Sequence, residues 1–172
     1  MGNVYEVDTD RNQLVVDRLK DLFRDSIIGW ELLGDMLCIR VEKVDIQQIM
    51  MFLRDDSELG FNFLTTLCGM HWPKEDALGV VYHLHSFAHN HRIRLKLSTP
   101  LQNPKVPSIT SVWPAANWME REAYDFYGIE FEGHPNLVRI LNMDDMVDFP
   151  MRKDFPLEDQ TREDKDDSMF GR

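Results

Sequence analysis

The periodic apolar pattern of this chain stops at Gly128, and this change constrains the fold more than any other feature. Beyond it, Pro135, Pro150 and Pro156 interrupt any long helix. The last fifteen residues are mostly charged, so alone they cannot offset the entropy of becoming ordered. We therefore predict three segments: a compact domain over residues 1–128, an extended partner-binding arm over 129–157, and a charged C-terminal tail over 158–172.

The apolar periodicity of the first segment predicts an α+β fold, with helices packed on a mostly antiparallel sheet, followed by the extended C-terminal arm. Asp45 and Asn117 are predicted N-caps, and Glu120 completes a capping box with Asn117. Residues 99–107 are predicted to form a loop. The first helix is predicted over 12–25, with Leu22 on its apolar face. The second is predicted over 45–55 and the third over 117–127, and the predicted buried face of the second consists of Ile46, Ile49, Met50 and Leu53. Strands are predicted over 27–33, 36–42, 62–70, 78–87 and 92–98, with a turn at Gly34-Asp35 between the first two.

Charge and cysteine content exclude several classes of function. With 30 acidic and 19 basic residues, the 172-residue chain has a formal net charge of −11, which argues against a nucleic-acid partner. Its two cysteines cannot ligate an iron–sulfur cluster by themselves. We expect Cys38 and Cys68 to be buried, inert thiols in apolar strands, and the chain to be cytoplasmic because it lacks a signal or spanning segment.

Four histidines flank the turn predicted between the last two strands. His83 and His85 share one strand face by alternation, and His89 and His91 follow across the turn. Imidazole pairs on strands can bind zinc or iron, so a small metalloenzyme is one alternative. The other interpretation is a polar strand face beside a turn.

The helix predicted over 117–127 is dense in charge. Arg121 and Asp125 are one turn apart and can pair, whereas Glu122 and Asp125 share a face and repel each other unless a cation lies between them. Three residues further along are candidates for that cation: Arg139, Arg152 and Lys153. The following segment is apolar enough to bind a surface but too broken to fold alone, which favours an arm lying on another protein.

The same region carries a long and unusual string of residues. The string comprises Glu120-Arg121-Glu122, Asp125, Gly128-Ile129, Phe131, Gly133-His134-Pro135, Leu137, Arg139-Ile140-Leu141 and Arg152-Lys153-Asp154-Phe155-Pro156-Leu157. It resembles the thirty-kilodalton-type subunit family of NADH:quinone oxidoreductase (respiratory complex I). One departure lies at residues 146–151, where Phe149 and Met151 keep the bulk of the family pattern without its Gly-His pair.

The resemblance implies a non-catalytic peripheral-arm subunit of a proton-translocating NADH:quinone oxidoreductase. Such a subunit binds no cofactor or metal of its own, while its complex uses FMN, iron–sulfur clusters, NADH and quinone. Its implied partners are the quinone-site large subunit and the terminal iron–sulfur cluster subunit, with no nucleic acid. It would associate with the cytoplasmic face of the bacterial inner membrane only through the complex.

The resemblance also assigns a set of partner-interface residues and leaves one close alternative. That alternative is the equivalent subunit of a membrane-bound energy-converting hydrogenase, since nothing in this chain identifies the electron-input module. The interface set is Glu120, Arg121, Glu122, Asp125, Gly128, Gly133, His134, Pro135, Arg139, Arg152 and Lys153.

Overall fold

The computed structural model describes residues 8–156. The predicted tail, Leu157 and the first seven residues lie outside the described part. Within it, three helices and seven strands follow in this order: α1 (Thr9–Phe23), β1 (Ile27–Leu33), β2 (Met36–Val41), α2 (Ile46–Asp55), β3 (Phe63–Trp72), β4 (Ala77–Ser86), β5 (His91–Pro100), β6 (Lys105–Pro107), α3 (Ala116–Tyr127) and β7 (Glu130–Glu132).

Five strands form one sheet in the order β1-β2-β5-β4-β3. All neighbours are antiparallel except β2 and β5, which run parallel. The prediction of a mostly antiparallel sheet is therefore confirmed. The β1–β2 hairpin turns at Gly34, whose φ of +67° suits glycine because a side chain would be strained there.

The core lies between one face of this sheet and the helices. The predicted apolar face of α2 is fully buried and consists of Ile46, Ile49, Met50 and Leu53. Helix α1 begins at Thr9, three residues earlier than predicted, because Asp8 caps it by accepting a hydrogen bond from the backbone N–H of Arg11.

Several sequence-based details were wrong because side chains found partners outside their own element. Leu22 of α1 is exposed rather than part of the core. Asp45 occupies the predicted N-cap position of α2, but its side chain accepts a hydrogen bond from the Ser26 hydroxyl and forms none with the helix. Ala115, not Asn117, occupies the N-cap position of α3, so the predicted capping box with Glu120 does not form.

The predicted loop over 99–107 contains a strand that sequence reasoning missed. Strand β6 pairs in parallel with β7, which directly follows α3, and the two form a separate small sheet. Both strands have only three residues, too few to show a recognisable alternation. Beyond β7 the described chain contains no further helix or strand, as expected for an extended arm.

The two cysteines differ in their surroundings. Cys38 is buried as expected, but Cys68 is exposed, which corrects the prediction for that residue. Cys68 alternates along β3 with the buried residues Leu67 and Gly69, so its side chain is on the opposite face of the sheet.

Candidate functional site: an arm anchored on helix α3

Helix α3 is set against β3 and ends where the arm begins. The ring of Tyr127 lies over Gly69 of β3, where a Cβ atom would come within 2.5 Å of it. Gly128 ends the helix in the left-handed conformation, with φ of +74°. The C-terminal half of α3 therefore has a fixed position from which its side chains can hold the arm.

Asp125 holds the arm by its backbone. One carboxylate oxygen accepts hydrogen bonds from Arg139 Nη1 at 2.7 Å and from the Asn142 side chain at 3.1 Å. The other oxygen accepts from the backbone N–H groups of Ile140, Leu141 and Asn142 at 3.1, 2.8 and 2.9 Å. Asp125 is 0% exposed, so five hydrogen bonds satisfy a buried charge.

The protonation of Asp125 follows from these contacts. Burial by itself raises the pKa of a carboxyl group. Here the backbone amides of Asn142 and Leu141, the Arg139 guanidinium and the Asn142 side chain outweigh that effect and hold the pKa of Asp125 well below its usual range. The predicted helical pair between Arg121 and Asp125 does not form, and Arg139 is the cation that Asp125 binds.

Phe149 closes the anchor over the end of α3. The guanidinium carbons of Arg152 and Arg139 lie 4.5 and 5.3 Å from the centre of its ring. Arg152 also donates from Nε to the carbonyl of Tyr127 at 2.7 Å. A Cβ atom on Gly128 would come within 2.6 Å of the Phe149 ring, so this packing requires glycine. We call Asp125, Arg139, Phe149 and Arg152 the arm anchor.

Further contacts attach the arm on either side of the anchor. Arg121 donates to the backbone carbonyls of Val138 and Arg139 at 3.1 and 2.9 Å. His134 Nδ1 accepts from the backbone N–H of Asn136, so its Nε2 is the donor to the Asn117 carbonyl at 3.1 Å. These bonds hold residues 134–139, the part of the arm between β7 and the segment bound by Asp125.

The far end of the arm is held by a buried histidine that sequence reasoning missed. His71 Nδ1, on β3, accepts a hydrogen bond from the backbone N–H of Lys153 at 2.9 Å and lies 3.6 Å from the Asp154 carboxylate. This contact uses only the backbone N–H of Lys153, and Lys153 is itself exposed.

Glu120 has a separate role inside the domain. It is 0% exposed, accepts hydrogen bonds from the Ser108 hydroxyl at 2.6 Å and the Ile109 backbone N–H at 2.7 Å, and so joins α3 to the segment after β6. Burial raises the pKa of Glu120 to about 7, although the bonds from Ser108 and Ile109 lower it in part. No sequence signal linked Ser108 to α3.

Four residues of the predicted interface set are exposed and outside the arm anchor: Glu122, Gly133, Pro135 and Lys153. Glu122 does not share a cation with Asp125, because Arg139 forms its salt bridge with Asp125 and Glu122 forms none within residues 8–156. Little in the sequence indicated that Asn142 and Phe149 hold the arm. Phe149 was noted only as a bulky residue that fits the family pattern.

The four histidines near the β4–β5 turn do not converge. His83 Nε2 accepts from Arg94, His91 Nε2 lies 2.9 Å from Asn12 Oδ1, and His89 Nδ1 lies 2.8 Å from Arg11. Within residues 8–156, no group of three or more His, Cys, Asp or Glu side chains is placed to hold a metal ion. The metalloenzyme alternative therefore gains no support from this geometry.

Large apolar side chains are exposed along the anchored arm, interspersed with the exposed Asp144, Asp145 and Asp148. Leu141, Met143 and Val147 are 66, 72 and 82% exposed, although large apolar side chains of this kind are usually buried. Val147 and Val138 line one groove together with Phe149. In the described part of the chain, no helix is both long and apolar enough to cross a membrane.

Two solved structures share this architecture. A chain of the membrane-bound sulfane sulfur reductase, an archaeal respiratory membrane complex, matches with a TM-score of 0.73 at 24% identity over 86% of each chain, which shows the fold alone. The trypsin-resistant fragment 1–134 of Nqo5 matches with a TM-score of 0.61 at 28% identity, over 74% of this chain and 99% of the fragment. The fold thus defines a class of α+β domains that includes a chain of a respiratory complex.

The family is narrower than this class. The chain belongs to the family of the 30 kDa subunit of respiratory-chain NADH dehydrogenase, whose model matches residues 39–161. It is 47% identical to the C subunit of NADH-quinone oxidoreductase from Roseiflexus castenholzii over 85% of this chain and 84% of that protein. The corresponding protein of Citrifermentans bemidjiense is 40% identical over 88% of this chain and 94% of its own length.

Proposed function

We propose that this chain is a structural subunit of the peripheral arm of a proton-translocating NADH:quinone oxidoreductase, without catalytic residues of its own. The observation that carries the proposal is the anchored arm: polar groups hold its inner side on α3, and large apolar side chains face outward. A monomeric soluble protein rarely exposes such a surface, which is typical of a protein interface. The similarity to these two NADH-quinone oxidoreductase proteins over most of their length supports the same conclusion.

The proposed partners are the quinone-site large subunit and the terminal iron–sulfur cluster subunit. The arm contributes contact area and a fixed backbone shape to these interfaces. The arm anchor restricts the conformations of the arm before binding, so the entropic cost of binding a partner is lower. FMN, the clusters, NADH and quinone belong in this proposal to the other subunits. The chain then reaches the cytoplasmic face of the membrane only through them.

Affinity purification of the tagged chain from detergent-solubilised membranes of its native host, followed by quantitative mass spectrometry, tests the proposal. We expect the other NADH-quinone oxidoreductase subunits in stoichiometric amounts, with FMN and NADH-oxidising activity. A co-purifying nickel-containing large subunit would instead assign the chain to a hydrogenase-type complex. Recovery of the chain only as a monomer from the soluble fraction would contradict both assignments.

A further inference from the structure

The five-stranded sheet has a second face, opposite the helices, whose side chains are outside the main core. Because side chains alternate along a strand, Ile93, Leu95 and Leu97 of β5 point to the core, and the residues between them point to the other face. We call this surface the open face. Cross-strand register places four basic residues on it: Arg40 of β2, and Arg92, Arg94 and Lys96 of β5.

The open face is positively charged in an acidic chain. Its four basic side chains are accompanied by three acidic ones. Glu31 lies opposite Cys38 on the edge strand β1, Glu75 lines a cleft with Lys96, and Glu122 of α3 is close enough to Cys68 for its charge to act on that thiol together with Arg94. The chain as a whole carries a formal net charge of −11. At physiological ionic strength a charge is screened within about 8 Å, so a ligand on this face experiences the local cations rather than the net charge.

These cations form no ion pairs within the described residues. Arg94 donates to His83 Nε2 at 2.8 Å, and Arg40, Arg92 and Lys96 form no salt bridge in residues 8–156. Arg139 differs from these residues, because its charge is paired with Asp125 within the fold. Arg40 and Lys96 lie directly opposite each other on β2 and β5, and like charges in this position destabilise a sheet.

Exposed aromatic side chains lie at the end of the face near the β4–β5 turn. The rings of Phe63 and Phe87, which are 45 and 61% exposed, are 5.1 Å apart. The His85 ring lies 4.6 Å from that of Phe87, and its buried Nε2 atom has no hydrogen-bond partner in the described part of the chain. At the other end, Trp72 and Lys96 line a cleft. The open face thus combines cations with aromatic surface, as protein interfaces often do.

We propose that the open face binds an acidic segment of a neighbouring protein subunit, with carboxylates over Arg92, Arg94 and Lys96 and an apolar residue against Phe63 and Phe87. Successive basic residues of β5 are about 7 Å apart, which matches alternate side chains of an extended segment. A protein segment fits better than a nucleic acid, because a long polyanion would also meet the negatively charged remainder of this chain. The inference rests on the proposed function, since it needs an assembled complex.

Site-specific photocrosslinking in the assembled complex tests this proposal. Phe87 is replaced by p-benzoylphenylalanine, an aromatic substitute at an exposed position, and the complex is purified through a tag on this chain before irradiation. We expect a cross-linked peptide from another subunit that contains several Asp or Glu residues. Arg92→Glu should lower its yield about tenfold or more, because a repulsive contact replaces an attractive one.

The matched control is Arg24→Glu, which makes the same charge change at an exposed arginine beside α1. It should leave the cross-link unchanged, and far-UV circular dichroism should show that both variants remain folded. Lysine substitution of the cross-linked acidic residues should restore the yield in Arg92→Glu. The inference would be overturned if the cross-linked partner were a non-acidic peptide, the chain's own tail or a nucleic acid. It would also be overturned if an intact complex gave no cross-link, or if both variants lost the cross-link equally. None of these outcomes would contradict the proposed function. Absence of any oxidoreductase subunit from the purified material would overturn the proposed function as well.

Discussion

Replacement of Asp125 by Asn is expected to release the arm from α3 without unfolding the domain. The substitution keeps the size of the side chain but removes the charge that three backbone N–H groups and Arg139 share. It also leaves Arg139, whose side chain is 8% exposed, without its carboxylate. Breaking a buried ion pair by removing one partner costs about 3–5 kcal/mol. We expect this free energy to be lost from the equilibrium between the arm bound to α3, which we call the closed arm, and the released arm.

Hydrogen–deuterium exchange with mass spectrometry measures that closure. A loss of about 3–5 kcal/mol corresponds to exchange that is faster by roughly two to nearly four orders of magnitude for the amides of residues 140–142, up to the rate of an unprotected amide. Peptides from β4 and β5 should keep their wild-type exchange, because their hydrogen bonds belong to the five-stranded sheet. Far-UV circular dichroism should be unchanged.

Asp145→Asn is the matched control for this experiment. Asp145 lies three residues beyond Asn142 on an exposed part of the arm, and it forms no hydrogen bond with the described residues. The same chemical change there should leave exchange of residues 140–142 at the wild-type rate. If Asp125→Asn accelerated exchange no more than Asp145→Asn does, the role of the buried carboxylate as the centre of the arm anchor would be refuted.

Two further perturbations test neighbouring parts of the account. Burial raises the pKa of Glu120 to about 7, so the folded state favours the protonated side chain. The resulting stabilisation is fully present below the usual carboxyl pKa and is lost as the pH rises through about 7. In urea unfolding, Glu120→Gln should therefore be more stable than the wild type at pH 8, by up to about 3 kcal/mol, and similarly stable at pH 5. An equal difference in stability at both pH values would contradict this expectation. Gly128→Ala and Gly133→Ala both place alanine at positive φ, but only the former meets Phe149, so it should be the more destabilising by about 1–3 kcal/mol in thermal unfolding. Equal losses would show that Phe149 does not pack as described.

The sequence predicted those parts of the fold that depend on local patterns. The buried face of α2, Ile46, Ile49, Met50 and Leu53, follows from helical spacing, and the β1–β2 turn follows from Gly34. The five long strands were also located, with ends displaced by a few residues. Strands β6 and β7 were missed because three residues provide no periodicity, and their pairing brings together segments separated by α3.

The candidate site was predicted in its residues more than in its contacts. Arg139 was one of three candidate cations for Asp125, but the helical spacing also allowed a pair with Arg121, which does not form. Spacing along a helix reports only neighbours one turn away, whereas the actual partners come from the returning arm. The same reason explains Glu120: a capping box is a local pattern, but Ser108 is brought to it by tertiary folding.

The central claim is that the chain acts by holding an assembly together, and Arg139→Ala tests it most directly. The variant removes the cation from Asp125 and the arm anchor, with Arg24→Ala as an exposed control. The measurement is the yield of assembled complex per membrane protein, together with NADH:quinone turnover per FMN in that complex. We expect Arg139→Ala to lower the yield of complex and to leave turnover per FMN near the wild-type value. Full assembly with lost turnover would contradict the account and indicate a direct role in quinone chemistry.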